Sequence, residues 1–181
     1  MKKLIGILLA ITLFLTTTIP VYADTTQTVT ITATPSYVAL TNDTATWVMG
    51  VVLINTMYWW TVAGAAPAEP LVDGDMKAII TNTGSVNEDI DIHTHAATGG
   101  AGWAISNDET PAADEFSLRV GITGMANMAA MIQCVAGDAE LKDALAAAGH
   151  VHWCMSLETA TGFADGLEKT IIVTLTASVA D

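Results

Sequence analysis

Apolar side chains recur at every second residue in stretch after stretch of this chain, and a period of two dictates extended strands with one buried face. Val29, Ile31 and Ala33 alternate with threonines, and Ile90 and Ile92 alternate with Asp89, Asp91, His93 and His95. Phe116, Leu118, Val120 and Ile122 alternate with Ser117, Arg119 and Gly121, which makes this the clearest central strand. Val151, Trp153, Met155 and Leu157 alternate with His150, His152, Cys154 and Ser156. Near the C-terminus, Ile171, Val173, Leu175, Ala177 and Val179 alternate with Thr174, Thr176 and Ser178. Shorter strands are expected at Met76–Thr81 and Trp103–Ile105, with turns at Asn82-Thr83-Gly84-Ser85 and Gly99-Gly100. The total of about eight to ten short strands predicts an all-β fold, an antiparallel β-sandwich or jelly roll. One stretch breaks the pattern. Asp138 can cap a helix, Leu141 and Leu145 stand four apart, and Gly149 can stop it, so a short helical insertion is expected near 138–148. Met125–Val135 fits a helix or a buried strand equally well.

The N-terminus reads as an export signal. Lys2 and Lys3 precede the apolar run Leu4–Leu15, and Pro20 stands before Val21-Tyr22-Ala23. Residues 1–23 are therefore expected to be a signal peptide and 24–181 a single β-sandwich domain, with a retained anchor as the alternative. The run is too short to span a membrane and no later stretch is long enough, so no membrane insertion is expected after cleavage. The expected location is secreted, extracellular or at the cell surface.

Charge narrows the partners. The chain carries 6 basic and 19 acidic residues, a formal net charge of −13, which disfavours nucleic acid and anionic lipid and attracts cations. Cys134 and Cys154, in an exported protein, suggest one disulfide. The competing reading is a thiolate ligand or a free thiol beside the histidines.

The four histidines form two His-x-His pairs, His93/His95 and His150/His152. On a strand each pair presents both rings to one face, about 6.5–7 Å apart at the backbone. If the two strands lie close, four imidazoles, or three with a carboxylate, would hold zinc or copper, with Asp89 and Asp91 as ligands or as partners fixing the ring tautomers. The alternative is four solvated histidines on separate sheets. Asp73-Gly74-Asp75 could hold calcium, but the remaining positions of a calcium loop are missing, so calcium ranks below zinc and copper. No nucleophile elbow, phosphate-cradling loop or His-Glu-x-x-His is present. A non-enzymatic protein is expected; a three-histidine zinc hydrolase or a cupin-like enzyme is the alternative, although the glutamate and third histidine of a cupin are not recognisable.

Trp47–Thr61 is the most apolar stretch outside the signal, and it is expected to be buried on both sides, inside the fold or partly against another subunit, with Gly50 marking a bulge or a bend between two strands. Tyr58, Trp59 and Trp60 are adjacent, so an aromatic stands on each face, for core, subunit contact or a glycan platform. Val29 and Ile31 on the first strand are further candidates for subunit contact. That strand can pair with the C-terminal one in its own chain or be donated to a neighbour. The Thr-Val-Thr-Ile-Thr-Ala and Ile-Ile-Val-Thr-Leu-Thr-Ala strands, the Ile-Thr-Asn-Thr-Gly-Ser turn and the Trp103 strand resemble those of secreted fibre-forming sandwich proteins, such as the TasA/camelysin-like matrix proteins and strand-exchange pilins. The resemblance carries no functional residue. It implies an exported structural subunit of a surface layer or filament, self-associating through β-strand and hydrophobic contacts, with a secreted zinc- or copper-binding module as the alternative.

Overall fold

Alternation becomes geometry in a computed structural model that describes residues 37–108 and 110–181. The expected signal peptide and the Thr28–Ala33 strand, with Val29 and Ile31, lie outside the described residues. Within them the strands are β1 (Leu40–Asn42), β2 (Met57–Trp60), β3 (Ala78–Asn82), β4 (Glu88–Thr94), β5 (Ala104–Ile105), β6 (Glu115–Ile122), β7 (Ile132–Cys134), β8 (Asp138–Leu145), β9 (His150–Thr159) and β10 (Val173–Val179). Seven form one sheet in the order β1-β3-β9-β6-β5, with β2 also on β9 and β7 also on β6. The other three form the sheet β10-β4-β8. Every strand pair is antiparallel except the two-residue contact between β5 and β6. The expected β-sandwich is what the chain forms.

β9 is the axis of the larger sheet. Along one side it pairs with β6 from Trp153 to Thr159, and along the other with β3 and then β2, end to end. Its odd-numbered residues, Val151, Trp153, Met155 and Leu157, enter the core between the sheets with Ile80, Phe116, Leu118 and Val120. Ile90 and Ile92 of β4 and Leu141 and Leu145 of β8 close that core from the smaller sheet. Trp60 joins edge-on to Trp153, with ring centroids 5.0 Å apart, and the Trp153 indole N–H donates to Asn42 Oδ1 at 3.0 Å. That bond satisfies the one polar group the ring brings inside.

The chain crosses between sheets after β3, and buried polar groups hold the crossing. Asn82 Nδ2 donates to the carbonyls of Val86 and Leu145, each at 2.8 Å, and its Oδ1 accepts from the Gly84 N–H at 2.8 Å. Glu88 is fully buried beside it, with Oε1 accepting from the Ala39 N–H at 2.7 Å.

Two local expectations need correction. Residues 138–145 form β8 and not a helix. Leu141 and Leu145 are an even number apart, so the same spacing that marks a helix face also marks one face of a strand. Asp138 does not cap a helix: its Oδ1 lies 3.0 Å from His93 Nδ1 across the β4–β8 ladder. The register between these strands shifts twice, and the extra residues place Ala144 at φ +46°. The second correction concerns Trp47–Thr61. Only its end is strand; Gly50 turns the chain at φ +69°, and Val48, Val51, Leu53 and Ile54 are exposed.

The turn that carries the chain from β8 to β9 gives a test of its backbone conformation. Ala148 sits at φ +59° and the Gly149 N–H donates to the Ala146 carbonyl at 2.7 Å. Ala148→Gly is expected to stabilise the protein by about 1 kcal/mol, because glycine removes the left-handed penalty. Urea unfolding of the two proteins reads the difference.

Candidate functional site

β4 and β9 bring each histidine pair to an outer face, as alternation predicts, but to the two opposite outer faces of the sandwich. On β4 the residues turned inward are Glu88, Ile90, Ile92 and Thr94, so Asp89, Asp91 and His93 turn outward. On β9 the inward set starts at Val151, so His150 and His152 point out of the other side. The core separates the two pairs, and within one chain they do not meet in a four-imidazole centre. Among the described residues no group of three or more His, Cys, Asp or Glu is placed to hold a metal ion.

Each pair is nonetheless a defined unit. The His93 and His95 rings lie 4.4 Å apart at their centroids, and those of His150 and His152 lie 5.6 Å apart. His93 Nδ1 is 3.0 Å from Asp138 Oδ1, and His95 Nε2 is 3.3 Å from Thr174 Oγ1. With Asp138 ionised, His93 Nδ1 carries the proton and Nε2 presents its lone pair to solvent, the tautomer a metal ligand needs. Asp91 stands directly opposite Glu140 on the same face, while Asp89 Oδ1 accepts from the Ala144 N–H at 2.9 Å. The other pair has a looser carboxylate: His152 Nε2 and Asp73 Oδ2 are 4.0 Å apart. In the Asp73–Asp75 turn, Asp73 Oδ1 accepts from the Thr123 hydroxyl at 2.5 Å and Asp75 Oδ2 from the Ala68 N–H at 2.8 Å.

The expected disulfide is not formed; Cys134 and Cys154 are both free and buried. The sheet explains why. Cys134 pairs with Leu118, which faces the core between the sheets, whereas Cys154 pairs with Gly121 on the outer face. Two side chains on opposite faces of one sheet cannot bring their sulfurs to bonding distance. Burial pushes both thiols up to about 11.

The aromatic run divides by the same rule. Tyr58 and Trp60 pair with Leu157 and Met155 and turn inward; Trp59 pairs with Ser156 and turns outward. Trp60 is core, and Trp47 stacks on it at 6.5 Å. Trp47, Trp59, Trp60 and Lys77 line a shallow groove of about 570 Å³.

The edge of the smaller sheet was marked in the sequence only by composition. β10 pairs with β4 along its whole length and, among the described residues, with nothing on its other side. Its inward residues Val173, Leu175 and Ala177 are only half-buried, and Ile172 and Val179 are exposed. From Ile171 to Ala180 there is no charge, proline or glycine. No family model matches the chain, and neither curated proteins nor solved structures show a match to it.

The thiols give a direct check. Their raised values predict that at pH 8 native Cys134 and Cys154 react with iodoacetamide at least about a hundredfold slower than the same thiols in urea, with both labelled once the chain unfolds. A mass two lower than the reduced chain and no labelling in urea would contradict free thiols. Because both values are raised, the stability they contribute is present below pH 9 and is lost as pH rises toward 11.

Proposed function

We propose that this protein is an exported, non-enzymatic structural subunit that self-associates by adding a strand of a second copy to the outer edge of β10. The observation that carries this reading is that edge: seven residues of strand with a row of backbone donors and acceptors unpaired among the described residues. Exposed strand edges are ordinarily blunted by lysine, proline, a bulge or a covering loop, since they template pairing with other chains. β10 has no charge or proline, and its inward row lacks the cover that the core gives to the rows of β4 and β9. The chain also supplies a matching donor. Thr28–Ala33 presents Val29, Ile31 and Ala33 at the spacing of Val173, Leu175 and Ala177. In such pairing backbone bonds supply affinity and alternate side chains supply register. The exposed Val48, Val51, Leu53 and Ile54 offer a second apolar contact, with Val51 91% exposed. The acidic surface keeps unassembled subunits apart in solution.

A second reading, a zinc- or copper-binding module, is supported by the His93–Asp138 pairing. With two imidazoles on each outer face, a metal ion takes two ligands from one copy and the rest from a neighbour, so the metal would act as a cross-link.

Sedimentation velocity over a wide concentration range tests both. Assembly is expected to grow with concentration and to be lost in Thr176→Lys/Ser178→Lys, which places lysines on the exposed face of β10 while leaving thermal unfolding within about 0.5 kcal/mol. A monomer at every concentration argues against the subunit reading. Zinc added to that charged-edge variant is expected to restore dimers through the histidines; dimers equally abundant in His93→Ala/His95→Ala/His150→Ala/His152→Ala, or none at all, argue against the second reading.

A further inference from the structure

Across the middle of the larger sheet, four strands each place one residue in a single row on the outer face. Trp59 of β2 pairs with Ser156 of β9, Ser156 with Arg119 of β6, and Arg119 with Gln133 of β7. Neighbouring strands stand about 4.8 Å apart, so Trp59 and Arg119 rise on either side of Ser156 with about 10 Å between their Cα atoms. Serine is the smallest member of the row, and its place between an indole and a guanidinium makes a notch. The segment that carries Met125, Met128 and Met131 folds over one side of that notch. It is held there by the Leu71 N–H, which donates to the Met125 carbonyl at 2.9 Å, and by Glu69 Oε1, which accepts from the Met128 N–H at 2.9 Å. The result is a cavity of about 280 Å³ walled by Met57, Trp59, Arg119, Met128 and Met131, with Ser156 among the residues that line it.

Arg119 is the only arginine in a chain with 19 acidic and 6 basic residues. Its guanidinium is held in orientation by the next residue of the row. Gln133 Oε1 accepts from Arg119 Nε at 3.2 Å, and the Gln133 amide is itself fixed, its Nε2 donating to Ser117 Oγ at 2.9 Å and to the Ser106 carbonyl at 3.3 Å. Five N–H donors let a guanidinium serve several acceptors together, so an anion in the cavity adds to the partners that the protein supplies. Ser156 is buried and brings a hydroxyl to the same wall. The rest of the lining is soft and apolar, dominated by three methionines and the Trp59 indole. Glu69, engaged by the Met128 N–H, and Glu158, two residues along β9, do not line it.

An arginine stem can simply cover apolar surface, and the Gln133 bond satisfies Nε within the protein. A filled face would serve those roles equally well; they do not account for a hollow with a guanidinium in its wall and a serine beneath. We propose that this cavity binds one small aromatic monocarboxylate, with the ring between the Trp59 indole and the methionines and the carboxylate on the Arg119 guanidinium and the Ser156 hydroxyl. Three features select that class. A planar guanidinium matches a carboxylate through two parallel N–H···O bonds. One positive charge balances one negative charge, whereas a divalent anion such as phosphate brings excess charge into a part-buried site of an acidic protein. Thioether sulfur and indole favour an aromatic ring over an aliphatic chain. Size sets the limit: about 280 Å³ takes one ring with its acid group and is too small for a peptide. The cavity lies on the other sheet from β10, so this site stands independently of assembly through that edge.

The test is titration of sodium phenylacetate into the purified protein at neutral pH and low ionic strength, followed by calorimetry and ligand-detected NMR. Saturation at one molecule per chain is expected. Phenylacetamide, the neutral near-isostere, and acetate, which lacks the ring, should each bind at least about tenfold more weakly. Ser156→Leu, which fills the notch and keeps the guanidinium, should abolish binding, and Arg119→Gln should weaken it at least about tenfold, with thermal unfolding read for both. The ligand series needs no variant, so it decides the matter even where a substitution disturbs the sheet. Equal affinity for phenylacetamide would mean that the hollow recognises apolar bulk alone and would overturn the proposal. So would displacement of phenylacetate by an equal concentration of inorganic phosphate, undiminished binding in a folded Ser156→Leu protein, or no saturation by about 10 mM.

Discussion

β9 is buried on both faces, and the rest of the molecule is arranged to cover it. Its odd-numbered side chains require an apolar layer from the smaller sheet, which β4 and β8 provide through Ile90, Ile92, Leu141 and Leu145. Its even-numbered Cys154 requires a second cover, which the segments around Leu71, Met76 and Met131 provide. Because the pleat allows only two directions, each residue of the ladder is committed to one cover or the other. Moving the strand by a single residue would send histidines into the inter-sheet core and Trp153 to the outside. The register is fixed by that cost, and with it the direction of every neighbouring side chain.

The same constraint decides where chemistry can occur. It sends His93 and His150/His152 out of opposite sides of the sandwich, and it separates the two cysteines across one sheet. A shared imidazole centre and a disulfide are both consistent with the composition, yet both need side chains that the pleat directs apart. What the fold leaves exposed is of another kind: a long uncharged strand edge, an apolar loop around Val51, and an acidic outer face on β4 and β8.

Much of this was legible in the sequence, and the failures have specific physical causes. Strict alternation identified β4, β6, β9 and β10 to within a few residues, and it assigned Val151, Trp153, Met155 and Leu157 to the core correctly. Leu141 and Leu145 misled because a spacing of four suits both periods, and nothing local reveals that Asp138 will face His93. The Met-x-x-Met-x-x-Met spacing of residues 125–131 was ambiguous for a related reason: a short turn followed by a three-residue strand has neither period for long enough to register. Pairing between the two His-x-His strands was not legible at all, since alternation fixes the face of a strand but not which sheet it joins.

The subunit reading stands or falls on whether the outer edge of β10 is open in the isolated protein and covered on assembly. Hydrogen exchange measured by mass spectrometry on residues 171–179, from dilute to concentrated protein, addresses that edge alone. Fast exchange of part of the β10 amides in dilute solution is expected, with protection rising as assemblies form and β9 protected throughout. Equal protection of β10 at every concentration would contradict the account, because the edge would already be covered within a single chain.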